Sequence, residues 1–222
     1  MSPIAAFRAR FLDVLASIYI YNEHRGYTSL DRVLEAVRAR CPDDAQFIAE
    51  VEKHRADEEK HYRMFRRWFE LRGTMPLKVD RTCGHIDHFI ESVFGCTIED
   101  LDTQAIVEDH DAFEQLCRVI MITEQRGMEQ VEILLRNSHV LSDPGMRGIF
   151  KVVERDEPSH WMPYDAWLKA NGRRAKPRWR EKWTDYWIHK SLMLAKLPAV
   201  FLNRKNPRLE RWPDEDPFAY HA

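Results

Sequence analysis

Apolar residues recur every three or four positions along most of this chain, and that period predicts helices nearly throughout. A first helix is predicted over residues 3–25, because Pro3 suits a first helical turn, with Gly26 ending or bending it. Residues 29–40, apolar at Leu30, Val33, Leu34 and Val37, continue it or form a short separate helix. Pro42-Asp43-Asp44 then reads as a stop followed by a new N-cap. The next helix carries Phe47, Val51, Glu58, His61, Phe65 and Trp68 to about Leu71, where Arg72-Gly73-Thr74-Met75-Pro76 breaks the pattern. Residues 77–84 read as a connection and residues 85–94 as a short helix. A third core helix is predicted over residues 103–137, and a fourth from Asp143-Pro144 to about Lys169. Residues 171–177 form a turn-rich link to a tail containing Trp179, Trp183, Trp187 and Trp212.

The helices repeat at about 100 residues. Glu23-His24-Arg25-Gly26 matches Glu124-Gln125-Arg126-Gly127, and Asp57-Glu58-Glu59-Lys60-His61 matches Asp156-Glu157-Pro158-Ser159-His160. Each half is a helix pair presenting one Glu and one Glu-x-x-His. Two such pairs facing each other predict a four-helix bundle with a quasi-twofold axis, and the long link between the second and third core helices predicts a crossover. On a helix, residues i and i+3 share a face, so Glu58 with His61, and Glu157 with His160, can converge on one ion each. The expected ligands are therefore Glu23, Glu58, His61, Glu124, Glu157 and His160. Four carboxylates with one imidazole per metal suit Fe(II) or Mn(II), whereas structural zinc prefers thiolates and histidines. Asp57 and Asp156 stand four residues before the histidines, where each could orient its own imidazole or that of the other half.

Composition narrows the alternatives. A chain of 222 residues allows one well-buried core plus an appended segment, with domain boundaries expected at 1–170 and 171–222. A hydrophobic fraction of 44% with 32% charged residues suits a soluble helical protein. A net charge of −2 gives no basic excess for a nucleic-acid partner. Cys41, Cys83, Cys96 and Cys117 form no Cys-x-x-Cys pair, so neither a rubredoxin-like site nor a zinc knuckle is expected. Arg8, Arg10 and Asp13 interrupt the N-terminal apolar run, and the expectation is a cytoplasmic protein with reduced thiols.

With Glu23, Asp57-Glu58-x-x-His61, Glu124 and Asp156-Glu157-x-x-His160, the chain resembles the ferritin-like di-iron carboxylate superfamily over roughly residues 3–170. The resemblance implies an all-α, ferritin-like four-helix bundle with a long crossover and an extra C-terminal helical segment. It implies two iron ions, with manganese or a mixed Mn/Fe pair as alternatives. It further implies an O2-dependent oxygenase or oxidase that hydroxylates, desaturates or N-oxygenates an organic substrate with an external electron donor. Ferroxidase or iron-binding chemistry, peroxide reduction and a noncatalytic metal-binding bundle are the competing readings. The missing four-cysteine domain and the 50-odd residues after the bundle favour the oxygenase, with the tail capping a substrate channel. A homodimer is compatible with the sequence.

Other residues carry blander expectations. His54, one turn before Glu58, is expected in a supporting or surface role, with an extra-ligand role as the alternative. His85 and His88 have possible metal spacing but are expected as a surface pair. Gly26 and Gly127 are expected to serve helix termination or close packing, with room for O2 or substrate as the alternative. Pro158 is expected to distort its helix around Glu157. Tyr19, Tyr21, Tyr62 and Trp161 are expected to fill the core. The tail's Trp183, Trp187, Leu192, Leu194 and Leu197, beside Lys190 and Lys196, are expected to pack across the bundle, with peripheral lipid contact as the alternative.

Overall fold

The computed structural model describes residues 2–216 and 219–220, and these residues are all-helical apart from one isolated antiparallel bridge between Leu77 and Arg208. In chain order the helices are α1 (Pro3–Arg40), α2 (Ala45–Glu70), α3 (His85–Phe94), α4 (Thr103–Glu108) and α5 (His110–Leu134). They continue with α6 (Ser138–Leu141), α7 (Pro144–Asp156), α8 (Pro158–Ala170), α9 (Trp179–Ser191) and α10 (Leu197–Leu202).

Local chemistry explains where these helices start and stop. The Ser2 hydroxyl accepts from Ala5 N at 3.2 Å, and Asp44 accepts from Phe47 N at 3.0 Å, each satisfying an amide that the first helical turn leaves free. Asp143 caps α7 in the same way, at 2.9 Å from Met146 N. Gly95 ends α3 in the left-handed conformation, at φ 71°, where a Cβ would be strained.

Three predicted boundaries differ. Gly26 neither ends nor bends the first helix into two: α1 is continuous, because one mid-helix glycine costs only about 1 kcal/mol and packing against α2 outweighs it. The expected helix over 103–137 is split at Asp109, whose carboxylate accepts from Asp111 N and Ala112 N and restarts the helix as α5. The expected fourth helix is split at Glu157, because Pro158 cannot donate a helical hydrogen bond.

Helix α1 packs along α2 and α5 along α8, while α7 contacts both α2 and α5. The apolar interior falls into two main clusters with a polar layer between them. One gathers Leu30, Val33 and Val37 of α1 with Phe47 and Val51 of α2, Phe113 to Ile122 of α5, and Tyr164 and Leu168 of α8. The other gathers Leu12 to Ile20 of α1 with Phe65 and Phe69 of α2, Val131 of α5, and Ile149, Phe150 and Val153 of α7. Glu23, Glu58, Glu124 and Glu157 fall along the chain between these clusters, so every helix that crosses the interior changes from apolar to acidic at the same level.

The C-terminal segment lies against α3 and α5 through α9. The fully buried Arg118 of α5 donates from Nε to Glu181 of α9 at 3.0 Å, and Glu181 also accepts from Arg178 N at 2.6 Å. Beyond α9 the chain loosens into a π-helical turn over Leu192–Lys196 before α10. Trp212 is buried, but of the residues expected to pack across the bundle only Leu192 and, in part, Leu197 do so, whereas Trp183, Trp187 and Leu194 are exposed. No helix among the described residues is long and apolar enough to cross a membrane.

Arg118→Ala should destabilise the chain by about 3–5 kcal/mol, because it strands Glu181 in the interior without its counter-ion. Denaturant unfolding with an unchanged slope would measure this, and a loss below about 1 kcal/mol would show that the pair does not hold α9 in place.

Candidate metal centre

All six residues expected to bind metal converge on the polar layer. Glu23, Glu58 and Glu157 are buried, the Glu124 side chain is 15% exposed, and His61 and His160 are fully enclosed. Two groups have the spacing of metal ligands, with donor atoms within 4.8 Å of one another: Glu23, Glu58 and His61, and His54, Glu58, Glu124 and His160. Glu58 belongs to both. Glu157 lies outside these two groups, but its Oε2 is 3.8 Å from His160 Nδ1.

The histidines show what the pocket is built for. His61 turns Nε2 to Asp156 Oδ2 at 3.1 Å, which leaves Nδ1 facing Glu23 Oε2 at 3.4 Å and Glu58 Oε1 at 3.7 Å. His160 turns Nε2 toward Asp57 Oδ2 at 3.6 Å and Nδ1 toward Glu58 at 3.2 Å and Glu124 at 3.7 Å. Each aspartate thus faces the histidine of the other half, resolving the choice the sequence left open. Asp156 does so by a hydrogen bond to His61, and Asp57 as a charge beside His160 Nε2. A carboxylate at one ring nitrogen fixes its hydrogen and leaves the other nitrogen free to ligate. Lys60 ties the two arms together, bonding Asp57 and lying 2.7 Å from Asp156 Oδ2.

His61 Nδ1, His160 Nδ1, His54 Nε2 and Glu157 Oε2 are buried without a hydrogen-bond partner. Partnerless buried polar atoms are costly and uncommon, and four aimed at one small volume fit a cation there. Two divalent ions would balance the four glutamate charges.

The electrostatics follow from crowding. Burial, and then the charge of Glu58, raise Glu23 to about 7. Glu157 is raised well above the carboxylate range by burial and by Glu124. Burial disfavours a charged His61, yet Glu23 and Glu58 outweigh it and push the ring up to about 10. His160 is likewise raised against the effect of burial, by Asp57, Glu124 and Glu58. His54 moves the other way, lowered by burial and by His160.

His54 joins this cluster, beyond the supporting or surface role that the sequence suggests for it. It is buried, its Nε2 lies 3.5 Å from Glu124 Oε1, and its ring stacks on His160 at 4.3 Å. The one signal for it in the sequence is its position one turn before Glu58, on the same helix face. The expected surface pair of His85 and His88 is also corrected: His85 is buried, as is Asp87 between them, and His88 is half-buried. Asp87 accepts from Arg25 at 2.6 Å and Tyr21 at 3.0 Å, while His85 pairs with Asp185. The arginine of the second Glu-x-Arg-Gly repeats the pattern, with Arg126 2.5 Å from Asp185 on α9. The repeat therefore extends to a third helix in each half, which clamps the arginine two residues after each lone glutamate.

The two glycines of those motifs have a specific use. A Cβ on Gly26 would run into Glu58 Oε2, and one on Gly127 would come to 3.2 Å from Glu157 Oε1. They make room for the carboxylates of the facing helices rather than ending their own. Tyr19 stands beside Glu23 and Glu157 with its hydroxyl buried and partnerless, while its ring packs on Phe65 and Phe150 as expected of a core residue. The glutamates open on a cavity of about 110 Å³, lined also by Ile18, Leu30, Ile120 and by Leu192 of the C-terminal segment.

Comparison with family models, with curated proteins and with solved structures finds no match to this chain, so the site is read from its own geometry.

Gly26→Ala should leave folding intact or improve it by up to about 1 kcal/mol through helix propensity. It should weaken metal binding roughly 10–100-fold by displacing Glu58; unchanged affinity in a metal titration would remove Glu58 from the site. Metal affinity should also rise with pH from 6 toward 8, because the ion competes with the protons held by His61 and His160. Loading in weak buffer should release protons, and a pH-independent affinity would contradict this.

Proposed function

We propose that this chain is a ferritin-like dinuclear metalloenzyme, an oxygenase or oxidase that uses O2 on a small organic substrate. In this reading α1, α2, α5 and the α7–α8 pair form the four-helix bundle, α3 and α4 lie in its long crossover, and α9 and α10 are the C-terminal extension. One observation carries it: partnerless imidazole nitrogens and carboxylates converge with quasi-twofold symmetry between two apolar clusters.

Glu23, Glu58 and His61 would hold one ion, and Glu58, Glu124, His160 and His54 the other, with Glu157 completing the set. The oxygen-rich donors favour iron, with manganese or a mixed pair as alternatives. Bound reduced iron would supply electrons and open coordination positions for O2. The chain's own contribution is geometric and electrostatic. Asp57 and Asp156 keep the imidazoles turned inward, and Lys60 holds both aspartates in place. Gly26 and Gly127 leave Glu58 and Glu157 space to change binding mode. The break at Pro158 frees Glu157 from a continuous helix on one side.

Apolar walls from Ile18, Leu30 and Ile120 limit water beside the glutamates, which favours controlled substrate chemistry over mineral growth. Leu192 closes part of that wall, giving the C-terminal extension a place in the site. Electrons would come from a separate donor protein.

Aerobic Fe(II) titration should saturate at about two ions per chain, and Glu124→Ala should reduce this to one or none. Continued uptake into a mineral would replace the oxygenase with a storage function. Two ions retained by the Glu124→Ala protein would remove Glu124 from the ligand set.

A further inference from the structure

One buried imidazole beside the glutamates has no part in holding metal. His85 opens α3, is 8% exposed, and places Nε2 3.0 Å from Asp185 Oδ1. Asp185 is itself buried and is fixed from its other oxygen by Arg126 at 2.5 Å. A carboxylate can only accept, so the ring carries its hydrogen on Nε2, and in the neutral ring Nδ1 presents a lone pair. That Nδ1 is buried with no hydrogen-bond partner.

Its location gives this lone pair a use. His85 lines the cavity of about 110 Å³ that reaches Glu23, Glu58, Glu124 and Glu157. It also lines a neighbouring groove of about 230 Å³, bounded by Cys83, His88, Trp187 and Ile188. His85 and Leu192 belong to both walls, so they stand between the cavity at the glutamates and the groove beside α9. Two further residues of the inner wall, Tyr19 and Thr123, also carry buried hydroxyls without partners. A cavity that combines an aliphatic wall of Ile18, Leu30, Ile86 and Ile120 with a few unsatisfied polar atoms has the make-up of a small-molecule site.

We propose that His85, oriented by Asp185, anchors the substrate by accepting a hydrogen bond from a hydroxyl or N–H group. The inner cavity is smaller than the ~150 Å³ space that admits benzene, so the part of the ligand beside the glutamates is slender. A longer ligand would have to pass between His85 and Leu192 to reach the outer groove. An anionic ligand is disfavoured, because Arg126 in the inner wall is already paired with Asp185 and Glu129. The assignment rests on the dinuclear reading only for what stands at the inner end of the cavity. His85 is a substrate-binding residue that fixes which part of the molecule faces the glutamates.

The test uses the full chain and two probes of equal heavy-atom count, 1-butanol and methyl propyl ether, of which only the alcohol donates a hydrogen bond. NMR titration should show the alcohol binding roughly tenfold more tightly, about the worth of one well-made buried hydrogen bond. It should also show the His85 side-chain 15N resonances moving on saturation with the alcohol. His85→Phe should bring the two probes to parity while metal stoichiometry is unchanged. Equal affinities in the parent chain, a preference that survives His85→Phe, or His85 resonances unmoved by the alcohol would each overturn the assignment. The resonance measurement needs no variant, so it decides even if His85→Phe fails to fold. Metal content of the same samples separates the two readings: loss of dinuclear binding would overturn the proposed function, whereas a failed alcohol preference with two ions bound would overturn only the role of His85.

Discussion

Four glutamates cannot all stay ionised in one apolar interior unless positive charge stands among them, and much of this structure answers that constraint. The uncompensated cost of a buried carboxylate is several kcal/mol, so four of them would rival the whole stability of a domain. The chain meets the cost in layers. His61, His160 and His54 lie directly against the glutamates, and Asp57 and Asp156 hold the first two from behind. Lys60, Lys53 and Arg155 then compensate the aspartates at the surface. Charge alternates outward from the centre, and the innermost layer leaves His61 Nδ1, His160 Nδ1, His54 Nε2 and Glu157 Oε2 without hydrogen-bond partners.

The quasi-twofold repeat makes this arrangement economical, and its exceptions give the two sides different chemistry. His54 corresponds to Val153 in the other half, so one side gains an imidazole where the other has apolar packing. Tyr19 corresponds to Ile120, placing a phenol on one side where the other has an aliphatic side chain. Lys60 corresponds to Ser159, so a single lysine serves both aspartates. Glu59 corresponds to Pro158, which breaks one ligand-bearing helix while its counterpart stays continuous. Two metal positions built from such halves would differ in donor set and in neighbours.

Helical content and the spacing of the ligand motifs were legible because both are local. An i, i+3 relation fixes a shared face whatever lies opposite, and Asp44 and Asp143 cap their helices through amides three residues away. Gly26 was misleading for the same reason. Its local preference is to interrupt a helix, yet its role is set by Glu58 of a different helix. His54 and His85 were under-read because a single histidine on a helix has no distinguishing local sign. Only their own burial, with Glu124 beside one and Asp185 beside the other, separates them from surface residues.

The sequence by itself determined an all-helical chain and a doubled set of four glutamates and two histidines with an aspartate before each Glu-x-x-His. It could do so because hydrophobic period, capping and same-face spacing are carried by neighbours along the chain. The tertiary structure decided the rest: each aspartate faces the opposite histidine, and His54 joins one side only. It also clamps Arg25 and Arg126 against α3 and α9, and places His85 and Leu192 between the cavity at the glutamates and the groove beside α9. Those relations join residues tens to a hundred positions apart. Their energies depend on burial and on the charges brought alongside, which no stretch of sequence contains until the helices pack.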